Sequence, residues 1–173
     1  MDLHDKLKML GAGNASLHAG FKKYETFTLD DRGIGTFFPL EQELMAKAVE
    51  IRKNSYEPYS HFAVGACILG SGHKFYWGAN IETADYRGLH AEESAIANMK
   101  SHGAENILAI AVAMKNSDGF PMPCGACRQK LYEFSEGNIP IIGVSLNGLN
   151  QIWRVDLTSI GYLLPNAFGR RNL

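Results

Sequence analysis

The chain has 173 residues, 46% of them hydrophobic, and 17 Lys and Arg against 18 Asp and Glu give a formal net charge of −1. That length and apolar share predict one domain with an ordinary core and a single active site. Balanced charge, with no run of Lys or Arg longer than two, argues against nucleic acid as the principal partner. Three cysteines, an odd number, argue against a disulfide framework and for a reducing compartment. The N-terminus carries Asp2 and Asp5 and no long apolar run, so neither a signal peptide nor a membrane span is expected, and the cytoplasm is the default location.

Gly11, Gly13, Gly20, Gly33 and Gly35 interrupt any long periodic pattern at the start of the chain. Residues 1–38 are therefore read as an arm, with a short helix near Asp2 to Leu10 and irregular chain after it. From Pro39 the pattern sharpens, because a proline at a first helical position precedes Leu40, Leu44, Met45, Ala48 and Ile51 at three-and-four spacing. This predicts an amphipathic helix ending near Asn54. His61 to Leu69 and Lys74 to Ala79 flank Gly70-Ser71-Gly72 and read as a hairpin. Within it Phe62 alternates with Val64 and Ala66, which by pattern alone makes it core. Asn80 and Glu82 lie two apart at the strand end, so both can face one side and offer a donor and acceptors to a diol. Solvated loop polars are an equal reading of that pair. A helix His90 to Lys100, an apolar run Leu108 to Met114, a helix Cys124 to Phe134 and strands near Ile139 to Val144 and Gln151 to Val155 complete the chain. The order predicts an α/β fold, a three-layer α/β/α sandwich with a mixed sheet, over residues 39–173.

Chemistry concentrates in His90-Ala91-Glu92 and Pro123-Cys124-Gly125-Ala126-Cys127. One imidazole and two thiolates suit zinc and leave the fourth tetrahedral position open, the mark of a catalytic site. Both segments sit at predicted helix starts, where free N–H groups and the positive end of the helix dipole favour thiolates. Glu92 is the spare carboxylate. His-x-Glu followed by Pro-Cys-x-x-Cys is the arrangement of zinc deaminases, with the Glu as proton shuttle. A structural zinc or a redox pair is the competing reading. Cys67, in the apolar run Ala63 to Leu69, would then have to be the fourth ligand, but it reads as core, and a redox pair leaves His90 and Glu92 without a purpose.

With these residues together, the chain resembles the free-nucleoside cytidine deaminases from about Pro39 to Leu173. Tyr59-Ser60-His61-Phe62-Ala63-Val64-Gly65-Ala66 is similar to the family's Y-S-x-F-x-V-G-A block. Gly78-Ala79-Asn80-Ile81-Glu82 is similar to its G-x-N-x-E block, Cys124 to Gln129 to its C-G-x-C-R-Q form, and Leu163 to Gly169 to its L-P-x-A-F element. The resemblance implies that Phe62 packs beside the nucleoside, that Asn80 and Glu82 hold ribose hydroxyls, and that the Ala91 N–H and Met122 carbonyl read the base edge. It further implies that Phe168 helps close a pocket, often across a subunit boundary. Two departures stand out. Many members have Cys-Ala-Glu-Arg where this chain has His90-Ala91-Glu92-Glu93, and His with two thiolates leaves zinc neutral, with no need of that Arg. Thr83 to Leu89 differs from the usual N-A-S-Y-x-L-T.

The resemblance implies hydrolytic deamination of cytidine or deoxycytidine, one zinc per chain, a small-molecule nucleoside substrate and a homo-oligomer, with a tetramer favoured over a dimer. A modified cytosine nucleoside or nucleoside antibiotic is the alternative substrate, and Asp85-Tyr86-Arg87 is the place such a preference would be written. A polynucleotide deaminase and a non-catalytic zinc-stabilised interaction module are the remaining readings.

Overall fold

The computed structural model of the chain describes residues 25–28, 37, 39–115, 119–169 and 172. Six strands form one mixed sheet: β1 (Glu25–Thr28), β2 (Val64–Gly70), β3 (Lys74–Ala79), β4 (Ile107–Lys115), β5 (Pro140–Leu146) and β6 (Ile152–Ser159), in the spatial order β1-β6-β5-β4-β2-β3. β4 and β5 run parallel, and every other neighbouring pair is antiparallel. A parallel pair needs a crossover. Here it contains α3 (Gly125–Glu133), which follows α1 (Pro39–Ile51) and α2 (Ala91–Ser101) and precedes a short α4 (Ile160–Leu163).

Alternation along the central strands divides the core in two. Cys67 and Leu69 of β2, with Ala109, Ala111 and Ala113 of β4, pack under Leu44, Met45 and Ala48 of α1. Ala66, Ile68, Ile110 and Val112 face the other way, against Ala95, Ile96 and Met99 of α2 and Leu131 of α3. Helices on both faces make the three-layer α/β/α sandwich that the element order predicts. Each fully buried Leu, Ile or Met here stabilises the fold by about 1.5–3 kcal/mol over its exposed state.

Two glycines set how closely the site-bearing segments approach the sheet. A Cβ on Gly78 of β3 would lie 2.4 Å from the Ala95 backbone nitrogen of α2, and one on Gly143 of β5 would lie 2.6 Å from the Pro121 carbonyl oxygen. The first lets α2 seat directly on β3. The second lets the segment entering α3 lie against the sheet.

Several expectations change. Glu25–Thr28, expected within an irregular arm, pairs with β6 as an edge strand, so the sheet reaches back across residue 38. The expected helix near Asp2 to Leu10 lies outside the described residues. The strand expected from His61 starts only at Val64. His61 has φ 55°, and the Asn80 side chain bonds the Phe62 carbonyl and the Val64 N–H where pairing with β4 only begins, at Val64. The hairpin turn is Ser71 to His73, since Gly70 still belongs to β2. β6 runs four residues beyond the expected Val155, and α4 was not expected.

Candidate metal centre and substrate cleft

His90 and Cys124 are each the residue immediately before a helix, both with extended backbone (φ −74°, ψ 157° and φ −67°, ψ 168°). Each therefore sits where its helix presents unpaired N–H groups. The fold brings the two helix starts together, and His90 Nδ1 lies 3.4 Å from Cys124 Sγ and 3.3 Å from Cys127 Sγ. The three donor atoms lie within 4.8 Å of one another. Cys127 is fully buried, whereas His90 and Cys124 open to the cleft.

The donor set fits one zinc ion: borderline nitrogen with two soft sulfurs, and one side left free. Electrostatics supports the fit. Burial, followed by the nearby Glu92 carboxylate and Cys124, pushes the Cys127 thiol well above its ordinary range. A buried thiol crowded by negative charge is a site that a cation relieves. Cys67 is also buried, on the opposite face of the sheet under α1, and its thiol is pushed up to about 12 by burial. It lies apart from the cluster, as its strand position predicted.

Glu92 follows in the first turn of α2 with only 5% of its surface exposed. Burial raises its carboxyl pKa against the opposing effects of its own backbone N–H, the His90 ring and the Cys127 thiol. Glu93, one residue on, is held quite differently. Partial burial pushes its pKa up, but bonds from Lys130 and from the His90 backbone outweigh that and leave it below the ordinary carboxylate range.

A cleft of about 750 Å³ opens above the cluster, within the range that holds small ligands. Ala91, Glu92 and Cys124 line it beside the donor cluster, together with Met114, Met122, Phe62, Asn80 and Glu82. The structure thus brings together every expected site residue on the cleft or the donor cluster except Phe168. Phe168 is 62% exposed and outside this chain's own cleft, with its carbonyl accepting a 2.8 Å bond from Gln129 Nε2. Phe62, core by pattern, is instead 45% exposed and faces the cleft.

Asn80 and Glu82 also shape the wall they stand in. Asn80 Oδ1 accepts from the Val64 N–H (2.8 Å), and Nδ2 donates to the Phe62 carbonyl (3.0 Å). Glu82 Oε2 accepts from the Tyr59 and Ser60 N–H groups (2.9 and 3.1 Å). With these and the Ser60 hydroxyl bonded to it, the Glu82 carboxyl sits below its usual range and stays ionised. Sequence reasoning pointed to Tyr86, within Asp85-Tyr86-Arg87, as a place for substrate preference, but did not single out Tyr59, Leu89 and Met114 as lining residues. Tyr86 stands at the rim, 89% exposed with φ 59°, its ring centroid 6.3 Å from that of Tyr59. None of the lining residues is Lys or Arg.

One borderline and two soft donors, a spare carboxylate and a small-ligand cleft on an α/β/α sandwich suit a mononuclear metal site with one open position. The pattern describing the cytidine and deoxycytidylate deaminase zinc-binding region matches residues 39–142. A cytidine deaminase of Sporosarcina psychrophila is 35% identical over 133 residues, 76% of this chain and 93% of that protein. One from Proteus mirabilis is 34% identical over 119 residues, 67% of this chain but 35% of that longer protein. The crystal structure of a cytidine deaminase from Burkholderia pseudomallei superposes with a TM-score of 0.66 at 34% identity, covering 73% of this chain and 98% of that one. The chain belongs to the cytidine and deoxycytidylate deaminase zinc-binding family.

Proposed function

We propose that the chain is a zinc-dependent cytidine deaminase of pyrimidine salvage, which hydrolyses cytidine or deoxycytidine to the uracil nucleoside and ammonia. The observation that carries this reading is the buried Glu92 carboxyl beside His90, Cys124 and Cys127 on a cleft sized for a nucleoside. In this reading those three side chains hold the ion. Zinc supplies Lewis acidity that brings the pKa of a water toward neutrality.

Glu92 accepts a proton from the attacking water and passes it to ring N3, then takes the proton of the new C4 hydroxyl and delivers it to the amine, so that ammonia departs as the C4 carbonyl forms. A carboxyl whose pKa burial has raised suits both directions of transfer. The Ala91 N–H and the Met122 carbonyl are assigned to the base edge, and Phe62 to the base face. Asn80 and Glu82 take the sugar hydroxyls with the bonding capacity left over from the loop. A cleft lined by no Lys or Arg and walled by ionised Glu82 supports an uncharged nucleoside over its phosphate.

The supporting wall of a neighbouring subunit completes the proposal. Phe62, Ile81, Tyr86 and Leu89 are 43–89% exposed around the cleft, and Phe168 is exposed away from it. A homo-oligomer, with a tetramer favoured, would cover such a rim and let one subunit's Phe168 reach another's cleft. No helix among the described residues is long and apolar enough to cross a membrane. The free thiols needed for metal binding favour the reducing cytoplasm. Residues 39–173 are taken as the catalytic unit and residues 1–38 as an appended segment.

A modified cytosine nucleoside is the second reading, and the exposed run Thr83 to Arg87, which departs from the family pattern, is where such a preference would be written. The first test follows loss of cytidine absorbance with wild type and Glu92→Gln, zinc being assayed in both. Turnover by the wild type alone, at one zinc per chain in both, supports the proposal. Turnover retained by Glu92→Gln removes Glu92 from its role. A zinc-loaded wild type idle on cytidine but active on 5-substituted cytosine nucleosides favours the second reading.

A further inference from the structure

Glu93 lies three residues after His90, and Lys130 three residues after Cys127. Three-residue spacing places each on the same helix face as the donor one turn before it. The two side chains meet in an ion pair between Glu93 Oε1 and Lys130 Nζ, joining α2 to α3 one turn behind the metal donors. The other oxygen of the same carboxylate, Oε2, accepts the His90 backbone N–H at 2.7 Å. One carboxylate therefore holds the backbone of one donor residue and, through Lys130, the helix that starts at the other two.

We propose that the Glu93–Lys130 pair is a positioning clamp for the metal centre, fixing the two helix starts at the separation that lets His90, Cys124 and Cys127 close on one ion. The proposal rests on the reading of those three residues as zinc ligands. The side chains that precede Lys130 on α3 turn elsewhere: Arg128 spends its Nε on the Pro123 carbonyl and its Nη1 on the Leu163 carbonyl, and Gln129 binds the Phe168 carbonyl. Those bonds tie α3 to its own entry turn and to the C-terminal segment, not to α2. Glu93 is largely shielded, with 15% of its side chain exposed, while Lys130 at 50% reaches in from the surface. Shielding on the acid side distinguishes this pair from the fully exposed ion pairs that contribute almost nothing. Residues behind the ligands commonly change metal affinity by about 10–100-fold when replaced.

The test measures the rate at which zinc-loaded protein releases its ion to a chelator, for Glu93→Gln, Lys130→Met, the double variant and Lys130→Arg. Glu93→Gln keeps an acceptor for the His90 N–H while removing the charge. Lys130→Met removes the charge from the half-exposed side and leaves the helix intact. The clamp predicts release about 10-fold faster or more in each single variant, no further increase in the double variant, and near wild-type release for Lys130→Arg. The thiolate-to-metal absorption of the cobalt-substituted protein should shift in the same two single variants. Release within twofold of wild type, or effects that multiply in the double variant, would overturn the proposal, as would a fall in the melting temperature of the zinc-free protein with release unchanged. His90→Ala and Cys127→Ser serve as the control: zinc kept by them at wild-type stoichiometry would sink the ligand reading itself, which is a separate outcome.

Discussion

In the proposed reaction Glu92 takes up a proton and gives it back within one cycle, and its burial among donors serves both halves. Glu92→Gln is expected to cut kcat by about 10²–10⁴-fold, the usual worth of a general acid–base group, with zinc content unchanged by metal analysis. Asn80 carries two loads, since its amide bonds the Val64 N–H and the Phe62 carbonyl and the residue also lines the cleft, where the proposed function gives it a sugar hydroxyl. Asn80→Ala should lower kcat/KM by at least about 10-fold and also lower the melting temperature, because it leaves two backbone groups without partners at about 1 kcal/mol or more apiece. Kinetics and thermal unfolding on one preparation would check both. Cys67 offers a pH test. Its thiol pKa rises from the ordinary 9.0 to about 12 on burial. The folded state thus favours the neutral thiol, and this contribution to stability is fully present below pH 9 and lost as pH rises toward 12. At pH 8 about one thiol in ten thousand would be ionised, so Cys67 should resist alkylation in native protein and react only after unfolding.

Among the elements, helix starts were the most legible in the sequence, because capping and proline positions are local. Pro39 opens α1 at the expected residue, and His90 and Cys124 fall one residue before α2 and α3. The donor cluster was readable for the same reason: ligand types, order and spacing within each segment are local facts. What the sequence did not carry is where side chains replace backbone partners. Phe62 alternates like a core strand residue, yet Asn80, 18 residues away, bonds its carbonyl and leaves its ring in the cleft. The Glu93–Lys130 pair spans 37 residues, and nothing local connects the two. β1 was invisible because four residues among glycines show no period, and its identity comes from pairing with β6 at the far end of the chain. At this scale Gly78→Ala is the informative change. Its Cβ would meet the Ala95 nitrogen at 2.4 Å and the Ser94 carbonyl carbon at 2.7 Å, neither of which can rotate away. The helix must lift from the sheet, at an expected cost of about 1–3 kcal/mol. A denaturation midpoint lowered without change in its slope would register it.

For the molecule as a whole, the donors proposed to hold the metal lie 34 and 37 residues apart in sequence, at the starts of two different helices. Chelation should therefore lower the melting temperature, and added zinc should restore it in a concentration-dependent way, as expected of a ligand that binds only the folded state. The exposed aromatic and aliphatic side chains around the cleft predict association. Sedimentation velocity at micromolar concentration should show a species larger than 19.1 kDa, and specific activity should fall on dilution below its dissociation.

The rim loop has one more property. Ile81 and Leu89 bond each other's backbone in both directions, at 2.9 and 2.8 Å, so residues 82–88 leave and re-enter the fold through a clasp. The side chains of Thr83, Ala84, Asp85, Tyr86 and Arg87 are all exposed, and none enters either core. The run 83–87 behaves as an exchangeable cassette between fixed ends, since Glu82 is bonded to the Tyr59 and Ser60 N–H groups and a Cβ on Gly88 would lie 2.4 Å from the Ile81 carbonyl oxygen. Its length and composition can drift, or be redesigned, while the clasp and the metal chemistry below stay as they are. A graft of residues 83–87 would change the cleft rim at Thr83 and Tyr86 and leave the donor cluster and Glu92 untouched, so pocket shape and metal chemistry can be varied separately in one chain.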